Sequence, residues 1–287
     1  MFDLDRLASQ LPPRPLTRFA PSPTGHLHLG HVVNAVYVWS LARTLGGRVL
    51  LRIEDHDGTR CRPEFEQSIR EDLDWLGLEP DIIAERQSES GAVYAAALAR
   101  LGETHGTYAC DCSRRTIARE ATDVFGEETR YPGRCRARGL TPGPGTGTRV
   151  VMEPGAERFE DGMLGPQQQE PAMQCGDLLV RDRLGHWTYQ FAVTVDDQRQ
   201  GIDLVIRGED LLASTGRQIR LARMLGRETP PVFFHHPLLW KQTGEKLSKA
   251  SGDTGIRELR AAGMTAKAVL REAAARGALP PALATSL

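Results

Sequence analysis

At 287 residues the chain is long enough to bury a full core, as one large domain or two smaller ones, and its formal net charge of −1 argues against wrapping nucleic acid over a wide surface while leaving room for a local RNA contact. No apolar stretch is long enough to cross a bilayer and the N-terminus lacks a charged-then-apolar signal pattern, so a cytoplasmic location is expected. Five cysteines, three of them clustered, point to metal before disulfide, and only four lysines stand against 32 arginines, three of the four between 241 and 249.

Residues 1–15, ending Pro12-Pro13-Arg14-Pro15, read as a loosely ordered leader. Arg18, Phe19 and Ala20 are extended until Pro21 and Pro23 stop them, and Thr24 and Gly25 turn the chain. From Leu27 apolar residues recur at helical spacing through Val32, Val36, Trp39 and Leu45, and Gly46 and Gly47 end the helix. Residues 49–53 form an apolar run interrupted only by Arg52, the pattern of a buried parallel strand. Strand, helix and strand make a βαβ unit with a right-handed connection. His28 and His31 lie on one face of the first helical turn, where free backbone N–H groups and the positive end of the helix dipole converge. Gly30 lets a bulky group approach the backbone closely, and such a helix start suits a polyphosphate.

A second helix starts over residues 61–64, with Pro63 inside its first turns, and runs to Gly77, Ile82 and Ile83 are a short strand or extended link, and an Ala-rich helix spans 91–101. From Thr107 the character changes. Cys110, Cys112 and Cys135 stand among arginines, 139–147 is a Gly- and Pro-rich loop, 149–152 reads as a strand, and 153–175 shows little periodicity. The stretch 105–176 therefore reads as an insertion. Residues 177–181 resume strand character, 187–195 alternate as a half-buried strand does, and 202–206 form another buried strand ending at Arg207. A helix follows from Ser214 to Gly226, then a last apolar strand and turn over 232–240, a polar loop carrying Lys246 and Lys249, and an Ala-rich helical tail from Ile256.

Pro21-Ser22-Pro23-Thr24-Gly25-His26-Leu27-His28-Leu29-Gly30-His31 resembles the nucleotide-binding signature of class I aminoacyl-tRNA synthetases, His-Ile-Gly-His, with Leu29 in place of Ile. Residues 18–25, taken with Arg52, Ile53, Glu54 and Asp55, resemble the glutamate branch of that class. Lys246-Leu247-Ser248-Lys249-Ala250 is similar to its second signature, Lys-Met-Ser-Lys-Ser; neither replacement removes a charge. The resemblance covers roughly residues 17–260. It implies an α/β fold: a Rossmann-like catalytic domain with a parallel sheet, a zinc-binding insertion and a short helical C-terminal tail. Residues 1–104 and 177–240 would be the two halves of the catalytic domain, 105–176 the insertion, and 241–287 the lysine loop and tail, with no anticodon-binding domain.

The reaction implied is attack of a glutamate carboxylate on the α-phosphorus of ATP, giving glutamyl-adenylate and pyrophosphate without tRNA. Such chemistry needs positioning and positive charge more than a protein nucleophile. The resemblance assigns catalysis to His28, His31, Lys246 and Lys249, and ATP, accompanied by Mg²⁺, to His28, Gly30, His31 and Lys249. It lines the glutamate pocket with Arg18, Phe19, Ala20, Pro21, Ser22, Glu54, Tyr189 and Arg207. The chemistry agrees: arginine offers a bidentate fork to a carboxylate, Glu54 can pair the ammonium, and Tyr189 gives a directed hydroxyl. Arg18, Glu54, Tyr189 and Arg207 are all expected at strand edges, and the alternative for Arg207 is a partner for Glu209 or Asp210.

Cys110-x-Cys112 with Tyr131-x3-Cys135 resembles the arrangement of glutamyl-queuosine tRNA(Asp) synthetases, short paralogues of glutamyl-tRNA synthetase. It implies one structural zinc on Cys110, Cys112, Tyr131 and Cys135, although on spacing alone buried free thiols are the alternative. Cys61 and Cys175 have no such company and read as structural. Arg114, Arg115, Arg119, Arg134, Arg136 and Arg138 offer either RNA phosphate contacts or a solvated face. The partners implied are glutamate, ATP and the anticodon stem-loop of tRNA(Asp), with queuosine at the wobble position as acceptor and a monomeric protein. The rivals are a shortened ordinary glutamyl-tRNA synthetase charging the 3′ end of tRNA(Glu), and a catalytically silent protein binding zinc and tRNA. Intact His28, His31, Lys246 and Lys249 speak against the silent one.

Overall fold

The computed structural model describes residues 2–120, 124–125, 128–239 and 255–286. Asp3 caps α1 (Leu4–Ala8) by accepting the Arg6 backbone N–H, Leu7 buries in the main core, and Phe2 meets Phe234 edge-on. This corrects the expectation of a loosely ordered leader. Phe2, Leu4 and Leu7 provide an apolar face to bury, a signal that the later prolines obscured.

β1 (Leu16–Phe19), α2 (Leu29–Thr44) and β2 (Arg48–Leu51) build the βαβ unit, its strands parallel from Leu16 opposite Arg48 to Phe19 opposite Leu51. The turn after α2 is tight: a Cβ on Gly47 would lie 2.3 Å from the Pro15 carbonyl oxygen. α3 (Pro63–Leu76) starts with a proline whose missing N–H costs nothing there, and Gly77 closes it at φ 69°. Next come β3 (Ile82–Ile83), α4 (Gly91–Thr104), β4 (Thr107–Cys110), α5 (Arg114–Glu120), a ribbon of β5 (Val124–Phe125) with β6 (Glu128–Thr129), and β7 (Gly147–Val150).

The stretch 153–175, read as aperiodic, holds a hairpin of β8 (Glu157–Asp161) and β9 (Gly165–Gln169), followed by α6 (Pro171–Gln174). Periodicity missed the hairpin because polar contacts hold much of it. Glu157 is 4 % exposed and pairs with Arg220 and Arg223, while Phe159 alone among its large residues packs on an aromatic neighbour, Phe233. Next is β10 (Leu178–Arg181). The alternating stretch 187–195 is then corrected from strand to helix: α7 (Tyr189–Arg199) buries Phe191 through Asp197 without a break, so its pattern marks an enclosed helix and not a half-buried strand. β11 (Leu204–Gly208), α8 (Thr215–Met224), β12 (Val232–His236), α9 (Ile256–Ala261) and α10 (Ala266–Arg276) complete the elements.

The main sheet has the order β3-β2-β1-β11-β12-β8-β9, parallel except where β9 returns antiparallel to β8. β10, β7 and β4 form a separate antiparallel sheet. The hairpin inside 105–176 thus extends the main sheet, while β10, just after residue 176, pairs with the smaller one. Strand order reverses between β1 and β11, the place where open α/β sheets take ligands. α2 is enclosed between this sheet and α10 and buries eleven residues, and no helix among the described residues is long and apolar enough to cross a membrane.

Asp72 on α3 is 3 % exposed, and its Oδ2 has no hydrogen-bond partner among the described residues. Burial pushes its carboxyl up to about 6, against the pull of Arg257. Between its ordinary value and that one the folded state holds a proton the unfolded chain has released, so stability falls as pH rises through the window. Asp72→Asn should stabilise the protein at neutral pH and flatten this slope in urea denaturation. A slope that survives the substitution would assign it to another group.

Candidate active site and metal centre

A cavity of about 430 Å³ opens at the carboxyl ends of β1 and β11, at the reversal of strand order. Its walls bring together Arg18 on β1 and Ala20 just after it, Glu54 after β2, His28, Gly30 and His31 at the start of α2, Tyr189 at the start of α7, and Arg207 on β11. Tyr189 therefore enters from a helix N-terminus and not from a strand edge. Phe19, Pro21 and Ser22 are not among the walls. Phe19 packs on Trp39 in the core, while the Pro21 carbonyl accepts the Glu54 N–H at 3.1 Å and the Ser22 hydroxyl donates to the Glu54 carbonyl at 2.9 Å. Pro21 and Ser22 brace Glu54. Lys246 and Lys249 lie outside the described residues, but Leu239 on one flank lines the cavity and Gly255 on the other forms a β-bridge with His28.

The two imidazoles are tied into the helix start. His28 Nδ1 accepts the Gly30 N–H and His31 Nδ1 accepts the His28 N–H, both at 3.1 Å, with ring centroids 3.8 Å apart. Each neutral ring then carries its proton on Nε2 and offers it as a donor. Gly30 is required by His28 itself, since a Cβ there would come within 2.9 Å of the His28 ring. The group that approaches this backbone is the neighbouring imidazole.

Beneath the cavity runs a charge network. Arg52 is fully buried, giving Nη2 to Glu54 Oε1 at 3.0 Å and Nη1 to Asp197 Oδ1 at 2.8 Å. Asp197 also takes Arg18 Nε at 3.3 Å. Burial opposes every charge here, but Arg18 and Arg52 outweigh it at Asp197, and the surrounding carboxylates outweigh it at Arg52. Neighbouring Asp196 accepts from Tyr94, Gln87 and Arg199. Arg52, Asp196 and Asp197 were not among the expected site residues. Their signal was a charge inside an apolar run and an acidic pair following one.

Arg207 differs from Arg52. It is 3 % exposed and donates to His235, Gln218, Thr215 and the Leu211 carbonyl, all neutral acceptors. Neither Glu209 nor Asp210 is a hydrogen-bond partner, and burial lowers its pKa. A buried cation without a hydrogen-bonded anion among the described residues calls for one from a ligand. A carboxylate entering between Arg18 and Arg207 would supply it.

The second cluster lies in the smaller sheet. The Sγ atoms of Cys110, Cys112 and Cys135 lie within 4.8 Å of one another, and Tyr131 Oη is 3.6 Å from Cys110 Sγ. Thiolates on a tetrahedral zinc sit about 3.8 Å apart, so the donor set fits. Arg149 stacks over the Tyr131 ring at 3.6 Å and donates to Cys110 Sγ, offsetting thiolate charge. Cys175 is buried elsewhere, against the Pro171 and Gly176 carbonyls. Of the neighbouring arginines, Arg134, Arg136 and Arg138 pair with Glu120, Asp177 and Asp111.

Residues 16–285 match the family described as tRNA synthetases class I (E and Q), catalytic domain. The chain is 44% identical over 269 residues to a glutamyl-Q tRNA(Asp) synthetase of Geobacter sulfurreducens, covering 90% of this chain and 84% of that one. It is 39% identical over 260 residues to a glutamate–tRNA ligase of Nitratidesulfovibrio vulgaris, covering 89% of this chain and 55% of that one. Among solved structures it resembles a glutamate tRNA ligase from Elizabethkingia meningosepticum in complex with its amino acid, with TM-score 0.71 and 30% identity over 83% of this chain. It spans 52% of that ligase.

Asp197 is the shared anion of two buried guanidiniums. Asp197→Asn keeps its shape and removes its charge, and should cost about 3–5 kcal/mol in denaturant unfolding, as breaking a buried ion pair from one side does. A loss below about 1 kcal/mol would mean that Glu54 and Asp196 suffice as counter-ions.

Proposed function

Because this chain belongs to the class I tRNA synthetase family (E and Q) through its catalytic domain, we propose that it activates glutamate with ATP and transfers it to queuosine of tRNA(Asp). The acceptor is supported by identities of 43–44% that extend over 77–84% of relatives named glutamyl-Q tRNA(Asp) synthetase. The activation is supported by one observation above others: a buried Arg207 without a hydrogen-bonded anion among the described residues shares a cavity with Arg18, Glu54 and Tyr189, beside a helix start carrying His28 and His31.

In this reading Arg18 and Arg207 take the glutamate carboxylates, Glu54 takes the ammonium, and Tyr189 directs its hydroxyl to the substrate. Ala20 keeps the wall low, while Pro21 and Ser22 hold Glu54 and Phe19 anchors the strand. His28 and His31 present Nε2–H groups to ATP phosphates at the positive end of α2, with Gly30 leaving their rings room. Lys246 and Lys249 bring positive charge as pyrophosphate leaves. Mg²⁺ accompanies ATP. Zinc on Cys110, Cys112, Tyr131 and Cys135 would tie the end of β4 to residues 131–135 and would take no part in the reaction.

Glutamate-dependent ATP–pyrophosphate exchange is expected without tRNA, and Lys249→Ala should lower it by about a hundredfold, the scale of losing one preorganised charge. Exchange that waits for tRNA would favour an ordinary glutamate–tRNA ligase. Labelled glutamate should appear on tRNA(Asp) that carries queuosine and be absent from tRNA(Asp) that lacks it. Efficient labelling of the 3′ end of tRNA(Glu) would overturn the acceptor assignment. Elemental analysis should find one zinc per chain, lost in Cys112→Ala together with protease resistance around β4 and β7. A chain without zinc that resists protease equally well would remove the metal from this account.

A further inference from the structure

Behind Arg207, away from the cavity walls, lies a pair that the proposed reaction does not use. The side chains of His235 and Asp161 are both 0 % exposed, and His235 Nδ1 lies 2.5 Å from Asp161 Oδ2. Asp161 ends β8, where Oδ1 accepts the Met163 and Leu164 backbone N–H groups at 3.0 and 2.9 Å, leaving Oδ2 for the imidazole. His235 stands on β12, directly opposite Arg207 in the parallel register, and its Nε2 lies 3.0 Å from Arg207 Nε.

One protonation state satisfies every contact. Arg207 Nε can only donate, so His235 Nε2 must accept, and the ring proton must sit on Nδ1 and go to Asp161. Doubly protonated His235 would turn an N–H against the guanidinium. Burial first, and the Arg207 charge after it, favour the neutral ring, while Asp161 pulls the other way. Gln218 holds Nη1 at 2.7 Å, Thr215 and the Leu211 carbonyl hold Nη2, and His235, whose Nε2 also lies 3.2 Å from Thr215 Oγ1, fixes the Nε edge of the same plane.

We infer that Asp161 and His235 are positioning residues that set the plane of the Arg207 guanidinium for a substrate carboxylate. Asp161 selects the His235 tautomer, the tautomer presents an acceptor, and the acceptor orients Arg207. This gives the β8–β9 hairpin a role at the site: it carries the anion one imidazole away from the cation it serves. A direct Asp–Arg207 pair would neutralise the charge that a ligand carboxylate is to answer. The inference rests on the reading of Arg207 as a glutamate-binding residue.

The test is pyrophosphate exchange with KM measured separately for glutamate and ATP, in proteins whose thermal melts show them folded. His235→Gln keeps an acceptor near the Nε2 position, whereas His235→Asn keeps only a donor near Nδ1. Asp161→Asn keeps the turn contacts but sets an amide N–H against the ring, which drives the proton to Nε2. His235→Asn and Asp161→Asn should raise the glutamate KM by about tenfold or more, the scale of a hydrogen bond to a charged group, with the ATP KM unchanged and His235→Gln within about threefold of wild type. Glutamate and ATP KM rising together, or the Gln and Asn variants behaving alike, would mark a merely structural pair and overturn the inference. Should His235→Asn not fold, equilibrium glutamate binding to Asp161→Asn decides: weaker binding supports the inference, and wild-type affinity overturns it. No glutamate-dependent exchange in the wild type would sink the glutamate reading itself, and the inference with it.

Discussion

A guanidinium can be buried only where something answers its charge, and the carboxyl end of the main sheet is built on that constraint. Arg52 is answered inside the protein by Glu54 and Asp197, and Arg18 shares Asp197 with it. These contacts join β1, the end of β2 and α7, three elements far apart in the chain. The two arginines and the acids between them therefore act as a fastening as well as a binding surface. Removing any one member exposes the others to the full cost of burial.

Arg207 is left on the other side of that balance. Among the described residues its hydrogen-bond partners are neutral, and Asp161 is the anion reached through them, beyond His235. This arrangement holds the cation in place by neutral contacts and leaves its charge to be answered. Glu54 plays the complementary part, an acid pinned by Arg52 through Oε1 with its backbone braced from Pro21 and Ser22. A cavity with cationic and anionic walls at fixed places suits an amino acid that carries both signs. The histidines at the start of α2 meet the same cavity from the side where backbone N–H groups favour phosphate.

The smaller sheet follows a different economy. Its cysteines converge from β4, the turn after it and the segment around Cys135, and Arg149 reaches across from β7 to cover Tyr131 and Cys110. A metal there would tie the end of β4 to residues 131–135, whose own apolar cluster around Tyr131 is small and flanked by ion pairs.

Much of this was legible in the residues. The opening βαβ unit follows from apolar periodicity and two terminating glycines, the histidine pair from its three-residue spacing, Arg18 and Glu54 from a resemblance carried by contiguous motifs, and Tyr189 and Arg207 from the wider resemblance around them. These are local signals, and local signals survive in a one-dimensional string. What only the tertiary structure decided depends on partners distant in sequence. The hairpin of β8 and β9 hides in a polar stretch because Arg220 and Arg223, more than sixty residues on, hold Glu157. α7 alternates like a strand because it is covered on every side. Asp197 and Asp161 looked like ordinary acids until Arg18 and His235 were brought to them across 179 and 74 residues. A side chain's charge is written in the sequence; what answers it is settled by packing.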